Sequence, residues 1–205
     1  IGLREGEVFE GRCYDFDGTD DYFDTGINNI ILNRVSFYYK STNTSGIRHI
    51  LSGYTASGLG AIGIGGVNLD FEANNGSVYT STKDIADGDW HFIDVNLVNA
   101  TLEINGISQT LTVGAMSTPQ NSTIWVGARE SGGVPVNNGD FGMYDLKLYN
   151  SADNLLAQYK MDEREGTAAF DSSGNKNHGT STNATLSTFH TTDVGVSYSW
   201  LNQVG

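Results

Sequence analysis

Two segments near opposite ends of the chain carry the residues whose chemistry is easiest to interpret. Residues 15–24 are rich in aspartate, and residues 171–180 combine Asp, Asn, Ser and Gly. Calcium binds about six to eight hard oxygen ligands from carboxylates, side-chain amides and carbonyl groups. The candidate calcium ligands in these segments are Asp17, Asp20, Asp171 and Asn175. Asp and Asn also form Asx turns at strand ends, and the sequence leaves both interpretations open.

The aspartate-rich segment is not an EF-hand loop. It lacks the run D-x-D-x-D-G followed by the glutamate that closes such a loop. The region still suits a calcium ion, because its carboxylates are the hard oxygen ligands that this ion prefers.

A polar loop at residues 129–140 has the composition of a sugar-binding rim. Sugar recognition needs an aromatic platform and planar hydrogen-bonding groups on exposed loops. The loop supplies a guanidinium group, carboxylates, adjacent amides and flexible glycines. The candidate ligand-binding residues are Arg129, Glu130, Asn137 and Asn138, with Tyr54 as the platform. The alternative is that these loops are connectors that bind nothing.

The charge of the chain excludes one class of partner. The 205 residues carry a formal net charge of -13, which repels phosphate backbones, so we expect no nucleic-acid binding. No apolar stretch is long enough to span a bilayer, so we expect no membrane insertion. Cys13 is the only cysteine, which rules out an internal disulfide and favours a small buried side chain.

The elements that must position these residues are strands. Strand-like runs recur throughout the chain with Gly, Asn and Asp between them, and helical periodicity is poor. Asn105-Gly106 and Asn75-Gly76 each separate two such runs, and Asn-Gly tolerates the positive φ angles of a type I′ hairpin turn. The pattern predicts an all-β protein, with two antiparallel sheets packed face to face as a β-sandwich.

The sequence gives specific expectations for the faces of two strands and for the limits of the domain. In residues 90–97, Ile93, Val95 and Leu97 should share one face. In residues 141–149, alternation should place Tyr144 on the same face as Leu146 and Leu148. We expect one jelly-roll domain over residues 1–180. Residues 181–205 should form a tail that packs on this domain or on a neighbouring chain, because they carry three aromatic side chains.

A set of segments resembles laminin-G-like and concanavalin-A-like jelly-roll modules, and the resemblance covers about residues 13–180. The segments that carry it are 16–23, 87–92, 101–106, 125–129, 139–149 and 171–180. In many members, the counterpart of residues 159–179 precedes the counterpart of residues 16–18, whereas here it follows the last strand. The order therefore looks circularly permuted, and this arrangement resembles modules in tail and virion proteins of bacteriophages.

The resemblance implies a further cation ligand and raises the question of catalysis. Related glucanases and lectins hold a structural cation partly through an aspartate of the final strand, which corresponds here to Asp145. The glucanase pattern E-x-D-x-x-E is absent, and Glu163 and Glu165 are better explained as a charged turn. The four histidines lack the spacing of a zinc site. We therefore assign no catalytic residue and expect no enzymatic activity.

The resemblance implies a module that binds carbohydrate or another surface ligand. In the phage-like interpretation it is an extracellular adhesin of a virion or tail fibre, displayed as a trimer or another homo-oligomer. One alternative is a structural or decoration domain that contacts neighbouring virion subunits. A second alternative is a polysaccharide hydrolase or lyase with an unrecognised site.

Overall fold

The computed structural model describes residues 10–45, 47–53, 61–65, 68–72, 78–112, 123–131, 134–136 and 138–190. Every regular element in these ranges is a strand. None of the described residues forms a helix that is long and apolar enough to cross a lipid bilayer. The strands are β1 (Glu10–Asp17), β2 (Tyr22–Asp24), β3 (Leu32–Lys40), β4 (Ile47–Ser52), β5 (Ala61–Gly65), β6 (Asn68–Glu72), β7 (Val78–Asp84), β8 (His91–Asn96), β9 (Thr101–Ile104), β10 (Ile107–Thr110), β11 (Trp125–Val126), β12 (Arg129–Ser131), β13 (Val134–Val136), β14 (Asp140–Asn150), β15 (Leu155–Tyr159), β16 (Ala168–Ala169), β17 (Gly179–Thr182) and β18 (Thr185–His190).

The strands form two large antiparallel sheets and one small hairpin. The first sheet has the order β10-β9-β8-β3-β14-β1-β18, and β15 also pairs with β14. The second sheet has the order β16-β17-β2-β11-β4-β5-β6-β7. The strands β12 and β13 pair only with each other among the described strands. This architecture confirms the predicted all-β, two-sheet antiparallel sandwich.

The hydrophobic core lies between the two large sheets. Phe37 and Ile93 are cross-strand partners in the first sheet, and both are fully buried. Phe23 and Val126 are partners in the second sheet and belong to the same core. The strand β8 buries Ile93 and Val95 in this core, and Leu97 follows them, as the alternation predicted.

The prediction for the face of Tyr144 was wrong. Asp145 has a φ of 50°, and the pairing of β14 with β3 shifts register between Tyr144 and Lys147. A β-bulge inserts one extra residue, so the side chains on its two sides change face. Leu146 and Leu148 are fully buried in the core, whereas Tyr144 stacks on Tyr38 of β3 at 4.3 Å between ring centroids.

The displaced Tyr144 belongs to an aromatic layer on the outer face of the first sheet. Trp90 meets Tyr144 edge-on, and Phe189 of β18 stacks on Tyr144 with a centroid distance of 4.5 Å. Trp90, Phe189 and Cys13 are all buried in this layer. The layer explains how Trp90 is buried although it does not face the main core, and it gives Cys13 the predicted role of a small buried side chain.

The predicted hairpins have the expected strand pairing. Asn105 and Gly106 have φ angles of 53° and 79° and join β9 to β10. The strands β6 and β7 also pair in antiparallel fashion, although Asn75-Gly76 lies outside the described residues.

The C-terminal part of the described chain contributes to both sheets. The strand β17 pairs with β2 in the second sheet, and β18 pairs with β1 in the first sheet. The sandwich therefore extends at least to His190, beyond the expected boundary at residue 180. Residues 191–205 of the expected tail lie outside the described residues.

Candidate functional site

Several connections of the sandwich meet at the end where β1 finishes and β14 begins. Asp17 is the cross-strand partner of Asp140. The Ser41 hydroxyl donates to the Asp140 carbonyl oxygen at 2.7 Å, and the Asn43 amide donates to the Asp140 carboxylate at 3.3 Å. These contacts bring the β3–β4 connection beside the β1–β2 loop. We call this end of the sandwich the rim.

The β1–β2 loop gathers three carboxylates at the rim. One carboxylate oxygen from each of Asp17, Asp20 and Asp21 lies within 4.8 Å of the others. Asp17 and Asp20 are exposed, whereas Asp21 is only 3% exposed. The backbone N–H of Asp17 donates to Asp21 at 2.5 Å, and the N–H of Thr19 donates to Asp17 at 2.8 Å. We call these three residues the acidic cluster.

The electrostatics of the acidic cluster favour a positive ligand. Burial raises the pKa of Asp21; the hydrogen bond from the Asp17 N–H opposes this rise, and the charges of Asp17 and Asp20 add to it. A divalent cation would relieve the repulsion among the three carboxylates, and their oxygens are ligands that calcium accepts. The three carboxylates are therefore candidate ligands for such a cation.

The sequence interpretation did not select Asp21 as a ligand, although a signal was available. Asp21 directly precedes β2, whose central residue Phe23 faces the core. Strand alternation therefore places Asp21 on the inward side of the loop and Asp20 on its outward side.

The rim hairpin, which consists of β12 and β13, is tied down beside the acidic cluster. Gly127 has a φ of 85°, and a Cβ atom there would lie 2.5 Å from the Phe16 ring and 3.2 Å from the Asp21 carbonyl oxygen. Only glycine allows this close approach. The N–H of Gly139 donates to the Gly127 carbonyl at 2.7 Å. The chain therefore enters and leaves the hairpin next to the β1–β2 loop.

The rim hairpin carries most of the predicted ligand-binding residues that the structure describes. Arg129 pairs with Val136 across the hairpin, and Glu130 pairs with Pro135. Arg129, Glu130 and Asn138 are half-buried, whereas Val134 at the hairpin end is 55% exposed. Tyr54 and Asn137 lie outside the described residues.

His49 of β4 lies close to the rim hairpin. Burial, together with the neighbouring Arg129 guanidinium, lowers the pKa of His49 to about 4. His49 is therefore neutral at neutral pH, and Arg129 supplies positive charge to this part of the rim.

The remaining predicted cation ligands lie outside the acidic cluster. The Asp145 carboxylate accepts hydrogen bonds from the Lys147 ammonium at 2.6 Å and from the Gln158 amide at 2.7 Å. Asp171 accepts hydrogen bonds from the backbone N–H groups of Gln158, Ser173 and Asn177.

These contacts define what the two carboxylates and the nearby amide do in the fold. Burial acts to raise the pKa of Asp171, but the hydrogen bonds that it accepts hold the pKa below its ordinary value. The Asn175 amide donates to the carbonyl oxygens of Leu155 and Leu156. Asp171 thus makes one local turn contact, to the Ser173 N–H, while Asn175 ties its segment to β15 and Asp145 is paired with a lysine.

Comparison with known proteins identifies the fold. No protein-family model and no curated protein matches the chain. A candidate carbohydrate-binding protein from Bacteroides ovatus has a TM-score of 0.64 at 14% identity, covering 87% of this chain and 60% of that one. Domains LG4-5 of the mouse laminin alpha1 chain have a TM-score of 0.52 at 13% identity, covering 82% of this chain and 54% of that one. The heptameric SAP-like pentraxin of Limulus polyphemus has a TM-score of 0.51 at 16% identity, covering 71% of this chain and 77% of that one.

These matches confirm that the chain has the predicted lectin-like jelly-roll fold. The chain spans only 60% and 54% of the first two structures, which therefore contain parts with no counterpart here. At sequence identities of 13% to 16%, these matches show a shared fold and say nothing about the binding sites.

Proposed function

We propose that this protein is a non-enzymatic module that binds glycans at the rim, with calcium held by the acidic cluster. The observation that carries the proposal is the placement of the acidic cluster beside the rim hairpin. This placement combines a candidate cation site with a guanidinium, a carboxylate and an amide that can bond sugar hydroxyls. Val134 adds an exposed apolar contact at the hairpin end.

The charge distribution narrows the class of glycan. A chain with a net charge of -13 repels heavily anionic polymers except where a bound cation or Arg129 offsets the charge locally. We therefore propose neutral or mildly charged glycans as ligands. Affinity at a single site should be weak, and display on a trimer or another homo-oligomer would raise the overall affinity without new contacts.

The proposed setting is an extracellular one, as an adhesin of a phage virion or tail. The support for it is the permuted order of the C-terminal segment, which resembles virion modules. A structural domain that contacts other virion subunits would share this setting but would not bind glycans. Glycan binding therefore separates the adhesin from the structural alternative.

Calcium binding is tested by thermal unfolding. A ligand that binds only the folded state stabilises it by mass action, by about 2.7 kcal/mol at a free concentration of a hundred times Kd. We expect millimolar calcium to raise the melting temperature above its value in chelator. The double variant Asp17→Asn/Asp20→Asn should lose this shift. Asp162→Asn, which removes an exposed acid elsewhere, should keep it.

Two outcomes of this experiment would change the assignment. If the wild-type melting temperature is the same in chelator and in calcium, the fold holds no calcium site. If Asp145→Asn or Asp171→Asn removes the shift while the double variant keeps it, the ion binds through the other predicted ligands.

Glycan binding is tested on arrays of host polysaccharides and on host cells. Arg129→Ala/Asn138→Ala should reduce binding at least tenfold, because loss of a charged hydrogen bond and a neutral one costs about 2 to 4 kcal/mol. Arg164→Ala, which removes an exposed arginine outside the rim, is the matched control. Unchanged binding by the double variant would exclude the rim hairpin as the site. Absence of binding by the wild type would favour the structural domain, and depolymerisation of a polysaccharide would favour the enzyme.

A further inference from the structure

Two aromatic rings stack on the outer face of the second sheet, next to the acidic cluster. Phe23 of β2 and Val126 of β11 belong to the core, so strand alternation turns Tyr22 and Trp125 away from it. The two rings are nearly parallel, with 4.3 Å between their centroids and 13° between their planes. Trp125 is buried, whereas Tyr22 is half-buried. Tyr22 is therefore the ring of this pair that a ligand can reach.

The stack fixes the direction in which the Tyr22 ring faces. Trp125 lies on β11, on one side of β2, and β17 lies on the other side. The centroid distance of 4.3 Å is close to the spacing of about 4.8 Å between neighbouring strands, so the stack runs across the strands. One face of the Tyr22 ring therefore rests on Trp125, and the opposite face is turned towards β17.

The strand β17 turns two threonines to the same outer face. Ser181 is buried, and a Cβ atom on Gly179 would lie 2.1 Å from the core ring of Phe23. Gly179 and Ser181 therefore point inwards. Thr180 and Thr182 alternate with them and point outwards.

These short side chains form the floor beside the tyrosine ring. Thr182 is the cross-strand partner of Tyr22, and Thr180 is the partner of Asp24. Thr180 is exposed, and so is its other partner, Ala168, on the edge strand β16. A threonine side chain is too short to cover the flat face of a tyrosine that stands beside it. We call Tyr22, Asp24, Thr180 and Thr182 the shelf.

We propose that the shelf binds one neutral pyranose unit of the glycan, with the apolar face of the sugar against the Tyr22 ring. This inference rests on the proposed glycan-binding function and adds the aromatic platform to it. The C–H groups on one face of a sugar ring pack on an aromatic ring, and the hydroxyls at its edge bond polar side chains. The Thr180 and Thr182 hydroxyls can each donate and accept such a bond.

Asp24 adds an acceptor and selects against acidic sugars. Its Oδ1 atom accepts a hydrogen bond from the Gly26 N–H at 2.8 Å, and a carboxylate has room for further donors such as a sugar hydroxyl. Asp24 is also the one charged side chain in the strands β2, β11, β16 and β17. Its negative charge would repel the carboxylate or sulfate group of an acidic sugar. The shelf therefore fits a neutral sugar.

The shelf is continuous with the acidic cluster. Asp20 and Tyr22 are two residues apart in the chain, which separates their Cα atoms by at most about 7 Å. One oligosaccharide can therefore place a unit on the shelf and a neighbouring unit at the acidic cluster. The shelf thus extends the proposed rim site along the outer face of the second sheet.

The test measures binding of the whole chain, in calcium, to a soluble mannan, a galactan and a glucan by affinity electrophoresis. Tyr22→Leu, which keeps an apolar side chain against Trp125, should weaken binding about tenfold, because the sugar loses its contact with a flat ring. Tyr22→Phe, which restores the ring, should recover most of the lost affinity. Tyr149→Leu is the matched control and should bind as the wild type does, because it removes a half-buried tyrosine from the outer face of the first sheet.

A second variant keeps the test independent of any effect of Tyr22 on folding. Thr180→Val removes an exposed hydroxyl with little change in size and should weaken binding about fivefold. In nuclear magnetic resonance spectra of the wild type, the amide signals of Thr180 and Thr182 should shift when the bound polysaccharide is added.

The outcomes separate this inference from the glycan-binding function itself. If Tyr22→Leu and Thr180→Val bind as the wild type does while Arg129→Ala/Asn138→Ala loses binding, the shelf is overturned and the rim hairpin remains the glycan site. Equal losses for Tyr22→Leu and Tyr22→Phe would also overturn the shelf, because the ring would then not be the contact. Binding of the wild type to acidic polysaccharides alone would overturn the neutral shelf and keep glycan binding. Absence of binding to every polysaccharide would overturn both.

Discussion

The rim places a neutral imidazole next to a permanent positive charge. His49 is half-buried near Arg129, and both features lower its pKa to about 4, compared with an ordinary value of 6.5. The folded state therefore disfavours the protonated form that the unfolded chain readily adopts. The pKa of Asp21 is shifted in the opposite direction. Because it is raised, the folded state holds a proton on Asp21 more readily than the unfolded chain does.

These opposite shifts give a prediction for His49. As pH falls from 6.5 towards 4, the unfolded chain takes up a proton at this position and the folded chain does not, so stability should decrease. Below both pKa values, the stability that His49 contributes should be lost completely. Denaturant unfolding of the wild type and His49→Gln across this pH range would measure the difference and cancel the contribution of Asp21. Parallel pH profiles for the two proteins would show that His49 is not held neutral by the fold.

At the scale of elements, one side chain connects the outer edges of the two sheets. Gln109 lies on β10, the edge strand of the first sheet, and Tyr79 and Thr82 lie on β7, the edge strand of the second sheet. The Gln109 side-chain oxygen accepts hydrogen bonds from the Tyr79 hydroxyl, the Thr82 hydroxyl and the Thr82 N–H, each at 3.2 Å. These hydrogen bonds join the two sheets at the edges formed by β10 and β7, far from the edges where β17 and β18 lie.

Gln109→Ala should therefore destabilise the protein by about 1 to 2 kcal/mol, because three donors lose one shared acceptor. Ser108→Ala changes an exposed residue of the same strand and controls for the altered strand propensity. The measurement is the free energy of unfolding in urea. Equal losses of unfolding free energy for the two variants would mean that altered strand propensity accounts for the effect, and not the Gln109 hydrogen bonds between the sheets.

The elements also show which structural features a sequence can predict. Alternation and the Asn-Gly turns predicted the β8 face and the paired hairpins, because both are properties of neighbouring residues. The face of Tyr144 was wrong because one residue, Asp145, adopts the left-handed conformation and shifts the alternation. Glu163 looked like part of a charged turn because its neighbours in sequence are charged, whereas its exposure of only 8% and its hydrogen bond from the Phe170 N–H are visible only in the folded chain.

The sequence could select candidate residues for the site but could not show most of their contacts. The composition of the β1–β2 loop selected Asp17 and Asp20 as candidate cation ligands, and the structure brings their carboxylates close to that of Asp21. Composition could not show which groups Asp171 and Asn175 contact, because their partners are mostly backbone groups of other segments. The proximity of the rim hairpin to the acidic cluster depends on Gly127 and Gly139, whose role is visible only in the folded chain.

At the scale of the whole molecule, the dominant property is charge. A net charge of -13 over 205 residues makes the compact state repel itself. Raising ionic strength from about 0.01 M to about 0.15 M shortens the Debye length from about 30 Å to about 8 Å and screens this repulsion.

The melting temperature in chelator should therefore rise when sodium chloride is added over this range. Chelator is needed so that the rise reports screening and not binding of a divalent cation to the acidic cluster. Sodium chloride that lowers the melting temperature would instead indicate that attractive ion pairs, such as Arg34 with Asp94 at 2.8 Å, dominate the electrostatics.

The position of β1 in the first sheet has a consequence for the time course of folding. Its two neighbours are β14 and β18, so Tyr14 pairs with Met143 on one side and with Leu186 on the other. A ribosome that makes the chain from its N-terminal end releases β1 long before either neighbour exists, and contacts so distant in sequence form slowly. The nascent chain must therefore keep this unpaired strand, with the core residues Tyr14 and Phe16, from associating with other chains until β14 and β18 have been made. Efficient production should accordingly depend on a chaperone or on slow synthesis more than on the final stability of the sandwich.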